Sequence, residues 1–162
     1  MLLSRQPVEA EPSAVPADVT LNAHTTYKVF DHEHRVLREG VENLRRGLVA
    51  NQPVSESGLI EHVDAVRAQL AVHFAFEEEF GFMHYLGVLQ PAVNSTLDRL
   101  HGVHREILET LARVLAGLQS GLPCAAVRPT LLSMLETLAH HELDERQLLR
   151  GALRGSPLSP QA

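Results

Sequence analysis

Four times along the chain, apolar residues recur at alternating steps of three and four, and each time one position of the stripe is a histidine. The stripes are Phe30, His34, Leu37, Val41, Leu44, Leu48; then Ile60, Val63, Val66, Leu70, His73, Glu77, Phe80; then Leu97, Leu100, His104, Ile107, Leu111, Val114, Leu118; and last Leu131, Leu135, Leu138, His141, Glu145, Leu148, Ala152. That period puts each set on one side of an α-helix, and the two-residue alternation of a strand is found nowhere. Turn chemistry separates the stripes: Pro53 and Ser55 to Gly58, then Gly81 to Gly87 with Pro91 suited to a helix start, then Ser120-Gly121-Leu122-Pro123. The last helix is expected to begin near Arg128-Pro129. Four helices of roughly 25 residues joined by short turns predict an all-α, antiparallel up-down-up-down four-helix bundle.

With 44% hydrophobic residues in 162, the chain suits one domain with a real core, and 4% aromatics without Trp make that core mostly Leu, Val and Ala. The bundle is expected over 21–153. A flexible lead over 1–20, punctuated by Pro7, Pro12 and Pro16, and a flexible tail over 154–162 flank it. A net charge of −6, with no basic cluster longer than Arg45-Arg46, argues against nucleic acid or an anionic membrane as partner. Cys124 is the only cysteine, which excludes a disulfide framework and a thiolate metal site. No run approaches the ~20 apolar residues of a membrane span, and the first residues are too rich in Pro and Glu for a secretory signal. A cytoplasmic location is expected.

The two halves of the chain repeat one another. A shift of 70 lays His34-Arg35 on His104-Arg105 and Glu39 on Glu109; a shift of 68 lays His73 on His141 and Glu77 on Glu145. Within each hairpin the histidines are level. His34 stands 15 residues before Val49 and His73 stands 15 after Gly58, so both lie about 22 Å from the same turn at ~1.5 Å per residue. In the second hairpin, His104 to Leu118 and Val127 to His141 are each 14 steps. All four stripe histidines fall in one layer.

A single histidine on an apolar face is usually a hydrogen-bonded core residue. Four in one layer, two of them followed by Glu one helical turn later, form a buried polar cluster that needs a metal or a complete set of hydrogen bonds. Imidazole and carboxylate without thiolate suit iron, manganese or zinc, and six or more ligands fit two ions better than one. The order His-x-x-x-Glu, with His on every helix, rejects the Glu-x-x-His pattern of ferritin-like sites.

These motifs, DHEHRVL, HFAFEEEF, LHGVHREIL and HHELDERQLL, resemble the hemerythrin-like proteins of the HHE cation-binding family over about residues 25–152. The resemblance implies a non-haem di-iron centre of two oxo- or hydroxo-bridged irons, with zinc or manganese ranked behind iron. It implies His34, His73, His104 and His141 as ligands, Glu77 and Glu145 as bridges, and an open position for O2 or a related small molecule. Hemerythrins proper place two histidines four apart in the third helix, whereas here His101 and His104 are three apart. His101 is favoured as the fifth histidine ligand over a role orienting another ligand, and its counterpart in the first helix is Asp31.

Several neighbours are set aside. His32 points off the stripe, His140 flanks the seam and is a lesser candidate ligand, and Glu78 and Glu79 read as a solvated face and bystanders, with a place just outside the ligands as the lesser reading for either. His84 and Tyr27 are expected at one end of the bundle, closing the core rather than lining an access path. The expected function is reversible binding of O2, NO or another small oxidant for sensing, storage or delivery, with a protein partner if it senses. The alternatives are a di-iron enzyme acting on peroxide, NO or O2, and an iron or zinc protein with a storage or structural role.

Overall fold

Leucine makes up most of the apolar core among the described residues, and the helices are arranged around that fact. The computed structural model describes residues 23–49, 55–79 and 81–155. Its elements are α1 (Ala23–Val49), α2 (Glu56–Glu79), α3 (Phe82–Leu89), a single 3-10 turn at Pro91–Val93, α4 (Asn94–Gln119) and α5 (Cys124–Gly155). The lead over 1–20 and the residues beyond 155 lie outside the described residues. The four long helices pack in a ring, α1 on α2, α2 on α4, α4 on α5 and α5 back on α1. Neighbours run antiparallel: Gly40 faces Gln69 where His34 faces His73, and Arg99 meets Asp144 where His104 meets His141. This is the four-helix bundle that the stripes predict.

Local chemistry sets the helix ends. The Ser55 hydroxyl accepts the Gly58 N–H at 3.1 Å, capping α2, and Glu56 in the first turn complements the helix dipole. At the end of α4 the Leu122 N–H returns to the Gly117 carbonyl at 2.9 Å and the Gly121 N–H to Leu118 at 3.0 Å, a Schellman turn. Gly121 takes the left-handed conformation this needs, with φ 87°. Among the described residues no helix is long and apolar enough to cross a membrane.

Two boundaries differ from the sequence expectation. The apolar run after Glu79 is not a turn leading to α4. The Gly81 N–H bonds back to the Phe76 carbonyl at 2.7 Å, the chain leaves α2, and Phe82–Leu89 forms a helix of its own. His84 is exposed on α3, so it neither returns to the inner stripe nor closes the core. The Tyr27 and His32 side chains lie outside the described residues. α5 begins at Cys124 rather than near Arg128-Pro129, with Pro129 inside it. The proline removes one N–H in the second turn, and Ala125, whose carbonyl loses that bond, is exposed and open to water.

The core comes in two parts. The larger runs from Leu44, Leu48, Leu59, Val114, Leu118 and Val127 to Leu37, Leu70, Phe74, Ile107 and Leu138. The smaller joins Met83 and Leu86 of α3 to Leu97, Leu100 and Leu149. Each fully buried leucine contributes roughly 1.5–3 kcal/mol. Next to the larger part, on every long helix, the stripe turns polar.

Candidate metal centre

That polar layer is built first within single helices. On α2 the one-turn spacing brings His73 Nε2 to 3.3 Å from Glu77 Oε1, and on α5 it brings His141 Nε2 to 2.6 Å from Glu145 Oε1. Antiparallel packing then adds His34 from α1 and His104 from α4 at the same level. His34, Glu77, His104, His141 and Glu145 are no more than 3% exposed, and His73 is 8% exposed.

The donor atoms fall into two groups that share a carboxylate. Glu77, His104, His141 and Glu145 offer donors all within 4.8 Å of one another, and so do His34, His73 and Glu77. Each carboxylate spans the two. Glu145 Oε2 lies 3.2 Å from His34 Nε2, while its Oε1 lies 3.4 Å from His104 Nε2 and 2.6 Å from His141 Nε2. Glu77 Oε1 lies 3.3 Å from His73 Nε2 and 3.8 Å from His34 Nε2, while its Oε2 lies 3.7 Å from His104 Nε2. The site therefore has two lobes, one of His34 and His73 and one of His104 and His141, with one oxygen of each carboxylate turned to each lobe. Two donors bonded to one ion at ~2.1 Å stand about 3–4.2 Å apart, which is the scale of these separations. All the donors are imidazole nitrogen or carboxylate oxygen, and Cys124 lies far along α5 from this layer. A buried His/Glu cluster of this kind can coordinate a metal ion inside the bundle, and its hard and borderline donors suit iron, manganese or zinc.

Electrostatics keep His73 and Glu145 in the forms a metal takes. Burial, reinforced by the neighbouring His34, lowers the pKa of His73 from 6.5 to about 4, so its imidazole is neutral at neutral pH. Burial pushes Glu145 up, but hydrogen bonds from His104, His141 and His34 prevail and hold it well below the usual carboxylate range. Glu145 is thus an anion at the centre of the layer.

Six of the seven expected site residues are brought together. His101 is in neither donor group: its ring centroid is 6.0 Å from that of His104, and its Nε2 is buried with no hydrogen-bond partner among the described residues. His140 is exposed and donates from Nδ1 to its own helix at the Glu136 carbonyl, 2.9 Å away. Glu79 is exposed, as expected of a solvated face.

Glu78 is not a bystander. Its Oε1 accepts the Nδ1–H of His104 at 2.7 Å, and His104 Nε2 faces the centre, toward His141 and Glu145. Phe74 stacks against the His104 ring face, with centroids 3.8 Å apart and planes 7° from parallel. Phe74 and Glu78 each follow a site residue by one position, so they form the next column of α2, the one that faces α4. That spacing is the signal the sequence held. Glu142, beside His141, is also buried, and burial raises its pKa despite the nearby His34 and Arg38. Gly81 completes the support: a Cβ there would meet Glu77 Cα at 2.7 Å and the Glu77 and Phe76 carbonyl oxygens at 3.1 Å.

No curated protein and no solved structure matches the chain significantly. One protein family does, over residues 25–153, and its description is Hemerythrin HHE cation binding domain.

Proposed function

Because the chain belongs to the hemerythrin HHE cation-binding domain family, we propose that the layer holds two iron ions and that the protein binds O2 or a related small molecule there. The observation that carries this reading is the pair of shared carboxylates, each with one oxygen toward either lobe. A single tetrahedral ion needs four donors, whereas this layer presents six in two sets. In the proposal His34 and His73 hold one ion, His104 and His141 the other, and Glu77 and Glu145 bridge. His101 stands outside that set. The irons, when bound, supply a redox-active site at which a small oxidant binds.

The chain's own residues supply the rest. Leu70, Phe74 and Ile107 on one side and Leu97 and Leu100 on the other keep the layer dry. Sensing, storage and delivery all remain uses of one such site, and sensing would require a protein partner.

The test is an iron count per chain on aerobic protein with its visible spectrum, followed by exposure to O2, NO and peroxide. Two irons and a reversible spectral change support the proposal. Rapid turnover of peroxide or NO would make the protein an enzyme instead, and one redox-inert ion per chain would sink the di-iron reading.

A further inference from the structure

The two lobes have matching donors but different surroundings, and the internal repeat shows where they part. With the shift of 68 that lays His73 on His141 and Glu77 on Glu145, Phe74 corresponds to Glu142 and Glu78 to Arg146. The His104 ring therefore has an aromatic face and a carboxylate from α2 against it. At the corresponding places near His34, α5 offers a buried carboxylate and a guanidinium. The donor sets differ in compactness too: four donors lie within mutual reach on the His104–His141 side and three on the His34–His73 side.

His104 is held at three points. Glu78 fixes its Nδ1 edge at 2.7 Å, Phe74 covers its face at 3.8 Å, and its Nε2 lies 2.7 Å from His141 Nε2 within the lobe. A ring fixed in plane and tautomer loses little freedom on taking up an ion, and a carboxylate on the far nitrogen raises the basicity of the near one. Glu78 reaches this buried ring from a half-exposed position, its side chain 37% exposed. A surface carboxylate serving only solubility has no reason to end on a ligand nitrogen.

We infer that the lobes fill in order, the His104–His141 lobe first, and that Glu78 is the positioning residue that gives that lobe its precedence. The inference rests on the metal-binding reading above and adds to it an order and a residue outside the donor set. Glu78 touches neither ion; it acts through His104.

The experiment is a titration of metal-free protein with Co(II), and with Zn(II) against a competing chelator, while the imidazole resonances are followed by NMR. Two resolved steps are expected, the first moving the His104 and His141 signals and the second those of His34 and His73. Glu78→Ala is expected to weaken the first step by roughly 10–100-fold and the second by much less. Glu78→Gln, which keeps an acceptor oxygen, is expected to recover part of the loss, and it also serves if the alanine variant fails to fold. Simultaneous movement of all four histidines, a first ion at His34 and His73, or equal weakening of both steps by Glu78→Ala would each overturn the inference while leaving the two-ion reading intact. Failure of the wild-type chain to bind any ion would overturn the two-ion reading, and the filling order with it.

Discussion

Gly81→Ala tests the site from a residue that is no ligand. Its backbone, φ −85° and ψ −168°, is open to any residue, so the substitution is not opposed by local conformation. What opposes it is backbone: the new methyl would stand 2.7 Å from Glu77 Cα and 3.1 Å from two carbonyl oxygens. Restoring an ordinary carbon contact requires an opening of about 1 Å, and neither a Cα nor a helix carbonyl swings aside as a side chain does. Overpacking of this kind costs about 2 kcal/mol, which lowers Tm by roughly 8 °C for a domain of this size. The displaced residue is Glu77, whose oxygens lie 3.3 Å from His73 and 3.7 Å from His104, so ion binding should fall in both lobes. Gly102→Ala is the control. Nothing lies within 4 Å of a Cβ there, on α4 between His101 and His104. Removing a helix glycine should then stabilise by up to about 1 kcal/mol. Thermal unfolding of the metal-free variants and metal analysis of the loaded ones check both. If Gly81→Ala matched wild type in Tm and ion count, or Gly102→Ala lost as much as Gly81→Ala, the packing argument around Glu77 would be wrong.

Other outcomes follow from the same geometry. His73→Ala should lose at least one ion while the far-UV signal of the helices stays, whereas His101→Ala should keep two; metal analysis of each variant decides it. The metal-free protein should lose stability on acidification. His73 titrates near 4 in the folded chain against 6.5 ordinarily, so the unfolded chain takes up the proton first as pH falls. Its contribution is complete above about pH 6.5 and declines by about 3 kcal/mol on descent through pH 4, and the lowered pKa of Glu145 extends the loss to lower pH. The raised pKa of Glu142 acts in the opposite sense, its contribution being present at low pH and lost as pH rises. Urea midpoints across that range would contradict the buried cluster if they stayed flat. Leu70→Ala, just beneath the layer and fully buried, should cost about 3 kcal/mol by denaturant unfolding.

The stripe positions told most of this in advance because one periodicity encodes both core and site. His34, His73, His104 and His141 occupy places where leucine would otherwise sit, and equal distances from the turns put them level. What the stripe could not tell lies between its columns. Glu78 looks like one of three successive glutamates until α4 is in place, and only then does its carboxylate meet His104. His101 shares a helical face with His104 by count, yet three residues turn a side chain about 60° short of a full revolution, and in the bundle it falls outside both donor groups. The helix at Phe82–Leu89 was hidden for another reason. Gly81 just before it, Gly87 within it and its brevity read as a break, while the contacts that hold it, Met83 and Leu86 on Leu97, Leu100 and Leu149, are tertiary.

The layer also explains how a bundle can hold so many buried ionisable groups before any metal arrives. Six such side chains in an apolar interior would be prohibitive as isolated charges. Here Glu145 is bonded by three imidazoles, and burial keeps His73 neutral. Hydrogen bonds within the layer thus offset part of the cost of its burial, and the larger leucine core, most of which lies to one side, holds the four helices together. A metal ion must displace protons from the same nitrogens. Binding should therefore release protons and weaken in acid, through the donors themselves and with no separate switch. On the other side of the layer the small cluster draws its buried residues from α3, α4 and α5 and, among the described residues, from neither α1 nor α2, so that end is the less fully packed. Metal uptake should accordingly tighten the α3 end of the bundle more than the end where Leu48, Leu59 and Leu118 already pack.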